Sequence, residues 1–297
     1  MTYYAAWYGT NSNEDLYSFV LTSFEPPDFD YYLSIYGAGG NDTIYGGTLD
    51  DSLYGQDGND TILGDSGDDH IEGGIGNDIL DGQEGRDTMK GGAGDDSYYI
   101  NQANEYLTEN ANSGTDKVYT SANNFTLPAN FEWLFLEGTV SSGTGNNLSN
   151  TLLGNNSANT FVGLDGDDTI VTNGGNDILV GNKGIDTLNG GDGNDVFNGG
   201  SGADTYFGGS GADDFGYFSV SDSPVGGMDK ITDFNRTQGD RINLSPIDAD
   251  LTLPGDQAFT VGTYVNGILT GDVIGGADIK IQLVGAPALN LSIDILL

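Results

Sequence analysis

The residues with the clearest potential for chemistry are aspartates that recur at every ninth position of the chain. Residues 73–81, Gly-Gly-Ile-Gly-Asn-Asp-Ile-Leu-Asp, form one complete unit, in which Asp78 stands at the sixth place. Thirteen aspartates occupy this place in two blocks: Asp42, Asp51, Asp60, Asp69, Asp78, Asp87 and Asp96, then Asp168, Asp177, Asp186, Asp195, Asp204 and Asp213. Carboxylate oxygens are good ligands for hard cations such as calcium, which takes about six to eight oxygens. The spacing therefore indicates rows of cation ligands.

Two further features of the unit indicate how the backbone is arranged. A large apolar residue stands two places after each aspartate, as Leu80 does after Asp78. Glycines at the first and fourth places, such as Gly73 and Gly76, permit backbone conformations that are closed to other residues. This period is typical of a parallel β-roll that binds calcium. We expect six residues of each unit to turn and three to extend, and two units to form one coil.

These units resemble the repeats of the RTX (repeats-in-toxin) family of secreted bacterial proteins, the hemolysin-type calcium-binding nonapeptide repeats. The resemblance implies an all-β fold: a parallel β-roll (a calcium-binding nonapeptide solenoid) in two blocks with a β-rich C-terminal cap. It also implies that each calcium ion lies between turns i and i+2, bound by both aspartates and by backbone carbonyls. The candidate metal ligands are the thirteen aspartates together with turn glycines, namely Gly37, Gly55, Gly73, Gly76, Gly91, Gly190 and Gly199. This rule predicts about nine calcium ions.

Charge and composition exclude several other classes of function. The chain has 45 acidic residues against 8 basic ones, so its net charge of -37 would repel the phosphate backbone of a nucleic acid. The same charge opposes binding to an anionic membrane surface, and no apolar run reaches the roughly 18 residues of a membrane-inserted span. The chain has no cysteine, which excludes disulfides and thiol chemistry. Because only 36% of residues are apolar, we expect calcium binding to drive the folding of a largely unfolded apo chain.

Composition and period divide the chain into five segments. These are an N-terminal cap (1–35), a first RTX roll (36–99), a β-rich spacer (100–144), a second RTX roll (145–216) and a C-terminal cap (217–297). In the N-terminal cap, Glu14 and Leu16 have the spacing of a degenerate repeat, with glutamate at the aspartate place. In the spacer we predict strands around Val118–Thr120 and Trp133–Leu136.

Three units depart from the consensus in ways that should change calcium binding. Leu49 replaces the fourth-place glycine, so its turn should bind calcium weakly. Asn150 and Asn159 stand where aspartate is expected. Their units should stack in the coil without a bound ion, because the carboxylate is missing.

The C-terminal region is similar to the C-terminal domain of serralysin-type metalloproteases (peptidase M10). The similarity covers roughly residues 145–297 and includes the stretches SDSPVGGMDKITDF, GDRINLSPID and ADIKIQLVGAPALNLSIDILL. In that family the C-terminus is an uncleaved signal for the type I secretion machinery, ending in an acidic residue followed by apolar ones. Asp294-Ile295-Leu296-Leu297 fits this description, and the first residues have no features of a signal peptide. We therefore expect a secreted, extracellular protein.

No catalytic motif accompanies the repeats. A zinc protease helix, H-E-x-x-H, needs two histidines, and the chain has only His70, which we interpret as an outward strand residue. The leading interpretation is a structural or interaction module without a catalytic site. One alternative is a remnant or accessory part of a secreted RTX enzyme. Another is an adhesin or ice-binding module with a surface glycan or protein partner.

Two sets of residues bear on the adhesin and ice-binding alternatives. Trp7 and Trp133, with the 16 tyrosines, could form a sugar-binding surface, although such residues more often fill caps and strands. Thr169, Thr187 and Thr205 should stack on one outer face, where a longer ladder could order water.

Overall fold

The protein is built from short β-strands that stack along a coil. The computed structural model describes residues 3–17, 31–219, 222–223, 227–244, 259–265, 268–273, 279–284 and 295–296. The chain divides into two compact units, Met1–Phe135 and Leu136–Leu297. The described residues contain strands, turns and bends and no helix, so none of them belongs to a helix able to cross a membrane.

Unit 1 contains two parallel sheets whose strands alternate along the chain. The strands are β1 (Tyr3–Tyr8), β2 (Asp15–Tyr17), β3 (Tyr31–Gly39), β4 (Thr43–Gly47), β5 (Ser52–Asp57), β6 (Thr61–Asp65), β7 (His70–Ile75), β8 (Ile79–Asp81), β9 (Thr88–Ala93), β10 (Ser97–Ile100), β11 (Tyr106–Thr108), β12 (Lys117–Thr120), β13 (Phe125–Thr126) and β14 (Trp133–Leu136). One sheet has the order β1-β3-β5-β7-β9-β11, and the other has β2-β4-β6-β8-β10-β12-β14. Each coil therefore contributes one strand to each sheet, as predicted.

The register of unit 1 places equivalent residues of successive coils side by side. Ile44 pairs with Ile62 in one sheet, and Leu53 pairs with Ile71 in the other. Because side chains alternate between the two faces of a strand, each apolar residue points inward while its neighbours point outward. The apolar residues of the first block are fully buried: Ile44, Leu53, Ile62, Ile71, Leu80, Met89 and Tyr98. The thin shared core is confirmed.

Both flanks of the first block join the coil. Leu16 pairs with Ile44, which confirms the degenerate repeat in the N-terminal segment, whose residues 1–2 and 18–30 lie outside the described residues. On the other side, β11 pairs with β9, so that Leu107 lies beside Met89. The predicted strands around Val118 and Trp133 are also present, as β12 and β14.

Unit 2 repeats the two-sheet arrangement and ends in an antiparallel set of strands. Its strands are β15 (Ser142–Thr144), β16 (Thr151–Leu153), β17 (Thr160–Asp165), β18 (Thr169–Val171), β19 (Ile178–Lys183), β20 (Thr187–Asp192), β21 (Val196–Ser201), β22 (Thr205–Ser210), β23 (Asp214–Gly216), β24 (Asp229–Ile231), β25 (Arg241–Asn243), β26 (Phe259–Val265), β27 (Ile268–Val273), β28 (Ile279–Leu283) and β29 (Ile295–Leu296). The orders are β16-β18-β20-β22-β24-β28-β27-β26 and β15-β17-β19-β21-β23-β25-β29. Strands β26, β27 and β28 are antiparallel, so the C-terminal segment is β-rich as predicted.

The core and outer face of unit 2 follow the nine-residue pattern. The apolar residues Ile170, Leu179, Leu188, Phe197, Tyr206 and Phe215 are buried. On the outer face, Thr169, Thr187 and Thr205 stack in register as predicted, and Thr151 adds one further rung.

Many strands of the repeats are longer than the three residues predicted for each repeat, although others, such as β8 and β18, have three. β7 covers six residues, from His70 to Ile75, so backbone pairing continues through the first three places of the turn. Gly74, at the second place, still pairs with Gln56 and Gly92 of the neighbouring coils. The turns are therefore held to each other by the same ladder that holds the strands.

The reason given for the first-place glycines was wrong. Positive φ angles occur at the second and fourth places, as at Gly74 (123°) and Gly76 (137°), and not at Gly73. A Cβ atom on Gly73 would lie 2.2 Å from Asp78 Oδ2 and 2.7 Å from the carbonyl oxygen of Gly91. The first place thus needs glycine for close approach, whereas the fourth place needs it for conformation.

Candidate metal centres in the stacked turns

The repeat aspartates are joined into ladders by one of their two carboxylate oxygens. The backbone N–H of Asp42 donates to Oδ1 of Asp60 at 2.8 Å, and that of Asp60 donates to Oδ1 of Asp78 at 2.8 Å. Within each block the partner is the aspartate 18 residues later, and the same contact recurs from Asp168 to Asp186 at 2.8 Å. Turns i and i+2 therefore lie one above the other, which is the arrangement that a shared ion requires.

The other carboxylate oxygen of these residues is buried and has no hydrogen-bond partner among the described atoms. Twelve of the thirteen aspartates share this property: Asp42, Asp60, Asp69, Asp78, Asp87, Asp96, Asp168, Asp177, Asp186, Asp195, Asp204 and Asp213. A buried carboxylate oxygen without a partner is costly, because the charge has lost its hydration. Such a row of atoms is expected where a cation supplies the missing interaction.

Backbone oxygens surround these free carboxylate oxygens. A Cβ atom placed on Gly55 would lie 2.2 Å from Asp60 Oδ2 and 2.6 Å from the carbonyl oxygen of Gly73. The same convergence occurs at Gly181, near Asp186 Oδ2 (2.1 Å) and the carbonyl oxygen of Gly199 (2.6 Å). Carboxylate and carbonyl oxygens are the donor set that calcium prefers, so the residues present fit this ion.

The predicted glycine ligands fall into two positions of these turns. At Gly55, Gly73, Gly91, Gly190 and Gly199 the open space beside the backbone is bounded within 2.2 Å by the aspartate Oδ2 of the same unit, and at Gly37 within 2.6 Å. Gly76 differs, because it stands at the fourth place and lies closest to the carbonyl oxygen of Gly58. These contacts describe the surroundings of each glycine, and its role as a calcium ligand stays a prediction.

Electrostatics makes these turns unfavourable for charged carboxylates that lack a cation. Burial, together with the charge of neighbouring carboxylates, raises the pKa of Asp69 and Asp78 to about 7 and that of Asp96 to about 8. In the second block, burial raises the pKa of Asp168, Asp195 and Asp204 to about 7. A hydrogen bond from a backbone amide lowers each pKa, but it does not outweigh the loss of solvent.

In the two repeats with asparagine at the sixth place, the side chain forms hydrogen bonds within the protein. Asn150 Oδ1 accepts a hydrogen bond from the backbone N–H of Asn146 at 2.7 Å, and Asn150 Nδ2 donates to Asn146 Oδ1 at 3.2 Å. Asn159 Nδ2 donates to the carbonyl of Val140 at 2.9 Å. Both units stack in register, as predicted, and their amide groups are satisfied within the protein.

The turn that contains Leu49 also differs from the others. Asp51 stands at the sixth place of the repeat that contains Leu49. Its Oδ2 is not among the buried oxygens without a partner. Asp51 still joins the ladder, since its backbone N–H donates to Asp69 Oδ1 at 2.8 Å. Weak calcium binding at this turn stays a prediction.

The ladders include residues that sequence reasoning did not select. Asp42 Oδ1 accepts a hydrogen bond from Glu14 N–H, and Asp96 N–H donates to Asp116 Oδ1. In unit 2, Asp204 and Asp213 donate in the same way to Asp229 and Asp240. Glu14 was recognised only as part of a degenerate repeat. Asp116 and Asp229 are out of phase with the period of nine, so the repeat gave no signal for them.

His70 lies on the outer face of a strand and contacts a glutamate of the same strand. Its side chain is 41% exposed, and Nε2 lies 3.0 Å from Glu72 Oε1 on the outer face of β7. The interpretation of His70 as an outward strand residue is confirmed. Trp133 stacks on Phe135 with ring centroids 5.7 Å apart, as expected for strand packing.

Four segments of the chain match the RTX calcium-binding nonapeptide repeat: residues 36–71, 63–98, 144–179 and 180–215. Among solved structures, the chain is similar to a subunit of the mannuronan C5-epimerase from Azotobacter vinelandii, with 27% identity and a TM-score of 0.25. That match covers 48% of this chain and 78% of the epimerase subunit.

A second similar structure is an extracellular lipase from Serratia marcescens, with 18% identity and a TM-score of 0.20. The match covers 95% of this chain but 42% of the lipase, so the chain spans less than half of that protein's length. No curated protein sequence matches the chain. The segments that match the repeat contain all thirteen aspartates, including the twelve with a buried, unpartnered oxygen, and the chain thus carries calcium-binding RTX repeats folded as a parallel β-roll.

Proposed function

We propose that this protein is a secreted calcium-binding module that folds when it meets calcium outside the cell. In this proposal the thirteen repeat aspartates and the turn glycines named above bind about nine calcium ions. The protein acts through its folded surface, as a structural or interaction module, and has no catalytic site of its own.

One observation carries the proposal: twelve buried aspartate oxygens have no partner in a chain of net charge -37. Neither of the surface ion pairs, Lys183–Asp165 and His70–Glu72, involves a repeat aspartate. About nine divalent ions would cancel roughly half of the excess charge. Because the ligands come from turns 18 residues apart, the site exists only in the folded coil, and binding free energy becomes folding free energy.

The concentration range of calcium supports an extracellular setting. Extracellular calcium modules bind at roughly 10⁻⁴–10⁻³ M, far above resting cytosolic calcium. A chain with sites of this affinity would stay unfolded inside the cell and fold after export. The proposal assigns export to the type I secretion machinery through the C-terminal residues, of which Asp294 and Leu297 lie outside the described residues.

The alternatives receive less support. An enzyme would need catalytic residues singled out by their environment, whereas twelve of the thirteen repeat aspartates share the same buried, unpartnered oxygen. An ice-binding face would need a long ladder, and Thr151, Thr169, Thr187 and Thr205 provide four rungs before Lys230 follows.

The test is a calcium titration of the full chain, followed by calorimetry and by circular dichroism. We expect about nine ions bound and a β-sheet signal that grows in step with occupancy. Magnesium should not substitute, because it demands a smaller and more regular coordination shell. A spectrum equally rich in β-structure in excess EDTA would show that folding does not depend on calcium.

A matched pair of variants assigns the ions to the ladders. Asp78→Asn removes a buried carboxylate of the aspartate ladder in unit 1. Asp57→Asn removes an exposed carboxylate from another repeat of unit 1. We expect the first to lower the number of bound ions and the second to leave it unchanged. Equal binding by both variants would exclude the ladder as the calcium site.

A further inference from the structure

Unit 1 contains a group of three carboxylates that the nonapeptide pattern does not predict. Asp96, Glu109 and Asp116 each place one oxygen within 4.8 Å of the others. All three side chains are buried, with exposed fractions of 0%, 8% and 0%. Only Asp96 belongs to a repeat, so the group lies where the first block ends.

Glu109 occupies a place that belongs to glycine in the repeats. It stands 18 residues after Gly91, and its Oε1 accepts hydrogen bonds from the backbone N–H groups of Gly91 (2.9 Å) and Gly92 (3.1 Å). Oε1 also accepts a hydrogen bond from the hydroxyl of Tyr98, and Oε2 accepts one from Ser113 Oγ at 3.1 Å. These donors fix the carboxylate in the turn.

Asp116 continues the aspartate ladder after a longer interval. It follows Asp96 by 20 residues, and its Oδ1 accepts the backbone N–H of Asp96 at 2.9 Å. Ser113 Oγ lies 3.5 Å from Asp116 Oδ2 and bonds to Glu109 as well. The longer loop therefore brings Glu109 and Asp116 to the same end of the ladder.

A free ligand atom points into this group. Asp96 Oδ2 is buried and has no hydrogen-bond partner. A Cβ atom on Gly91 would lie 2.2 Å from Asp96 Oδ2 and 2.5 Å from Glu109 Oε1, so both oxygens converge on one small space. No described lysine or arginine forms an ion pair with any of the three carboxylates.

We propose that Asp96, Glu109 and Asp116 form a separate site for a hard divalent cation, with three carboxylates in place of the two that each repeat site offers. The additional negative charge makes it the tightest cation site of unit 1. The site closes the first block by tying the turn at Gly91 to the loop that carries Glu109. The choice of calcium as the ion rests on the proposed function, whereas the site itself rests on this geometry.

Glu109→Gln tests the site in the full chain, since it keeps the side-chain shape and removes one charge. We expect equilibrium dialysis to find one tightly bound calcium ion fewer, or an affinity of the tightest class weakened about tenfold or more. Glu137→Gln, at an exposed glutamate, is the matched control and should bind as the wild type does. If Glu109→Gln equals this control while Asp78→Asn loses ions, the third ligand is refuted and the repeat sites stand.

A second measurement uses the wild-type chain and therefore does not require that a variant folds. Terbium prefers oxygen ligands as calcium does and can be located by anomalous scattering in crystals of the wild-type chain. We expect a peak in contact with Asp96, Glu109 and Asp116. Peaks confined to the repeat turns would overturn this inference and leave the proposed function intact, whereas the absence of all peaks would refute both.

Discussion

Two neighbouring turns of unit 2 carry asparagine and aspartate at the same place, and only the asparagine side chain is satisfied by hydrogen bonds within the protein. Asn150 and Asp168 belong to successive coils of one sheet, and both are buried, at 2% and 1% exposure. Their strands are in register, with Leu152 beside Ile170. Asn150 satisfies its amide through Asn146, whereas Asp168 Oδ2 has no partner.

The comparison separates the geometry of the coil from its need for a cation. The backbone ladder and the inward apolar residues suffice to stack a coil, because the asparagine units keep both although Leu148 and Ser157 stand at their fourth places instead of glycine. Replacing the amide by a carboxylate removes one donor and adds a charge that the turn cannot satisfy. Under the proposed function, the repeat aspartates are therefore the residues that make folding depend on calcium.

The largest expected effect is the response to pH without calcium. Burial raises the pKa of Asp69 and Asp195 to about 7, whereas an aspartate in an unfolded chain titrates near about 4. The folded chain thus binds protons more tightly, and the stability they provide is present below about pH 4 and lost as the pH rises through about 7. In EDTA we expect more β-structure at pH 5 than at pH 8.

Calcium should reverse this dependence, because it binds only the deprotonated carboxylates. Hydrogen exchange would locate the effect: amides around Asp168 and Asp186 should change protection with pH, and amides around Asn150 should change less. A β-signal in EDTA that does not depend on pH would contradict the expectation.

The next largest effect is expected when aspartate turns are converted to asparagine turns. Asp186→Asn combined with Asp204→Asn should remove at least two calcium ions and lower the free energy of unfolding in calcium by about 5 kcal/mol. This value assumes about 2.7 kcal/mol for each of two ions at a calcium concentration a hundredfold above Kd. Urea denaturation at fixed calcium measures it.

The control is the double variant Asp165→Asn with Asp192→Asn, which removes two exposed carboxylates from unit 2. It should change the free energy of unfolding by less than about 1 kcal/mol. Comparable losses in both double variants would mean that net charge, and not ladder position, sets the stability.

A smaller effect is expected from closing the space beside one aspartate. In Gly181→Ala, the Cβ atom would lie 2.1 Å from Asp186 Oδ2, which should lower the free energy of unfolding by about 3 kcal/mol and weaken calcium binding. Gly174→Ala is the control, because its nearest neighbour would be 3.7 Å away. Thermal denaturation in calcium distinguishes the two, and equal midpoints would argue against the tight approach.

The smallest effect is expected from restoring a carboxylate to an asparagine turn. Asn150→Asp should add one calcium ion and raise the free energy of unfolding in saturating calcium by about 1 kcal/mol. In EDTA the same variant should be less stable than the wild type, because the bond from Asn150 Nδ2 to Asn146 is lost. Asn156→Asp, at an exposed residue, should show neither change.

The period of nine was sufficient to predict the coil and its inward apolar residues inside each block, whereas the pairing of aspartates between turns i and i+2 was implied by the resemblance to RTX repeats. Every repeat contributes the same inward residue and the same turn, so one unit predicts the next. The reason for glycine at the first place was wrong, because the sequence does not show that Asp78 Oδ2 comes within 2.2 Å of a Cβ on Gly73. Conformation and close approach select the same residue.

The ends of the ladders could not be predicted from the period. Asp222 is in phase with Asp213, yet its Oδ2 accepts hydrogen bonds from the backbone N–H groups of Phe218 and Ser219 at 2.8 Å. Asp222 follows Asp204 by 18 residues, but Asp229 accepts the backbone N–H of Asp204 in its place. The choice depends on how the chain leaves the coil, which is decided by three-dimensional packing beyond the repeats.

The interval between rungs has a practical consequence. Successive ladder aspartates are 18 residues apart inside the blocks, but the same hydrogen bond forms over 20 residues at Asp96, 25 at Asp204 and 27 at Asp213. Loops of different length can thus leave and rejoin the stack while the same hydrogen bond is kept. These loops are natural grafting points, where a foreign peptide could be displayed on a scaffold that, under the proposed function, folds and unfolds with the supply of calcium.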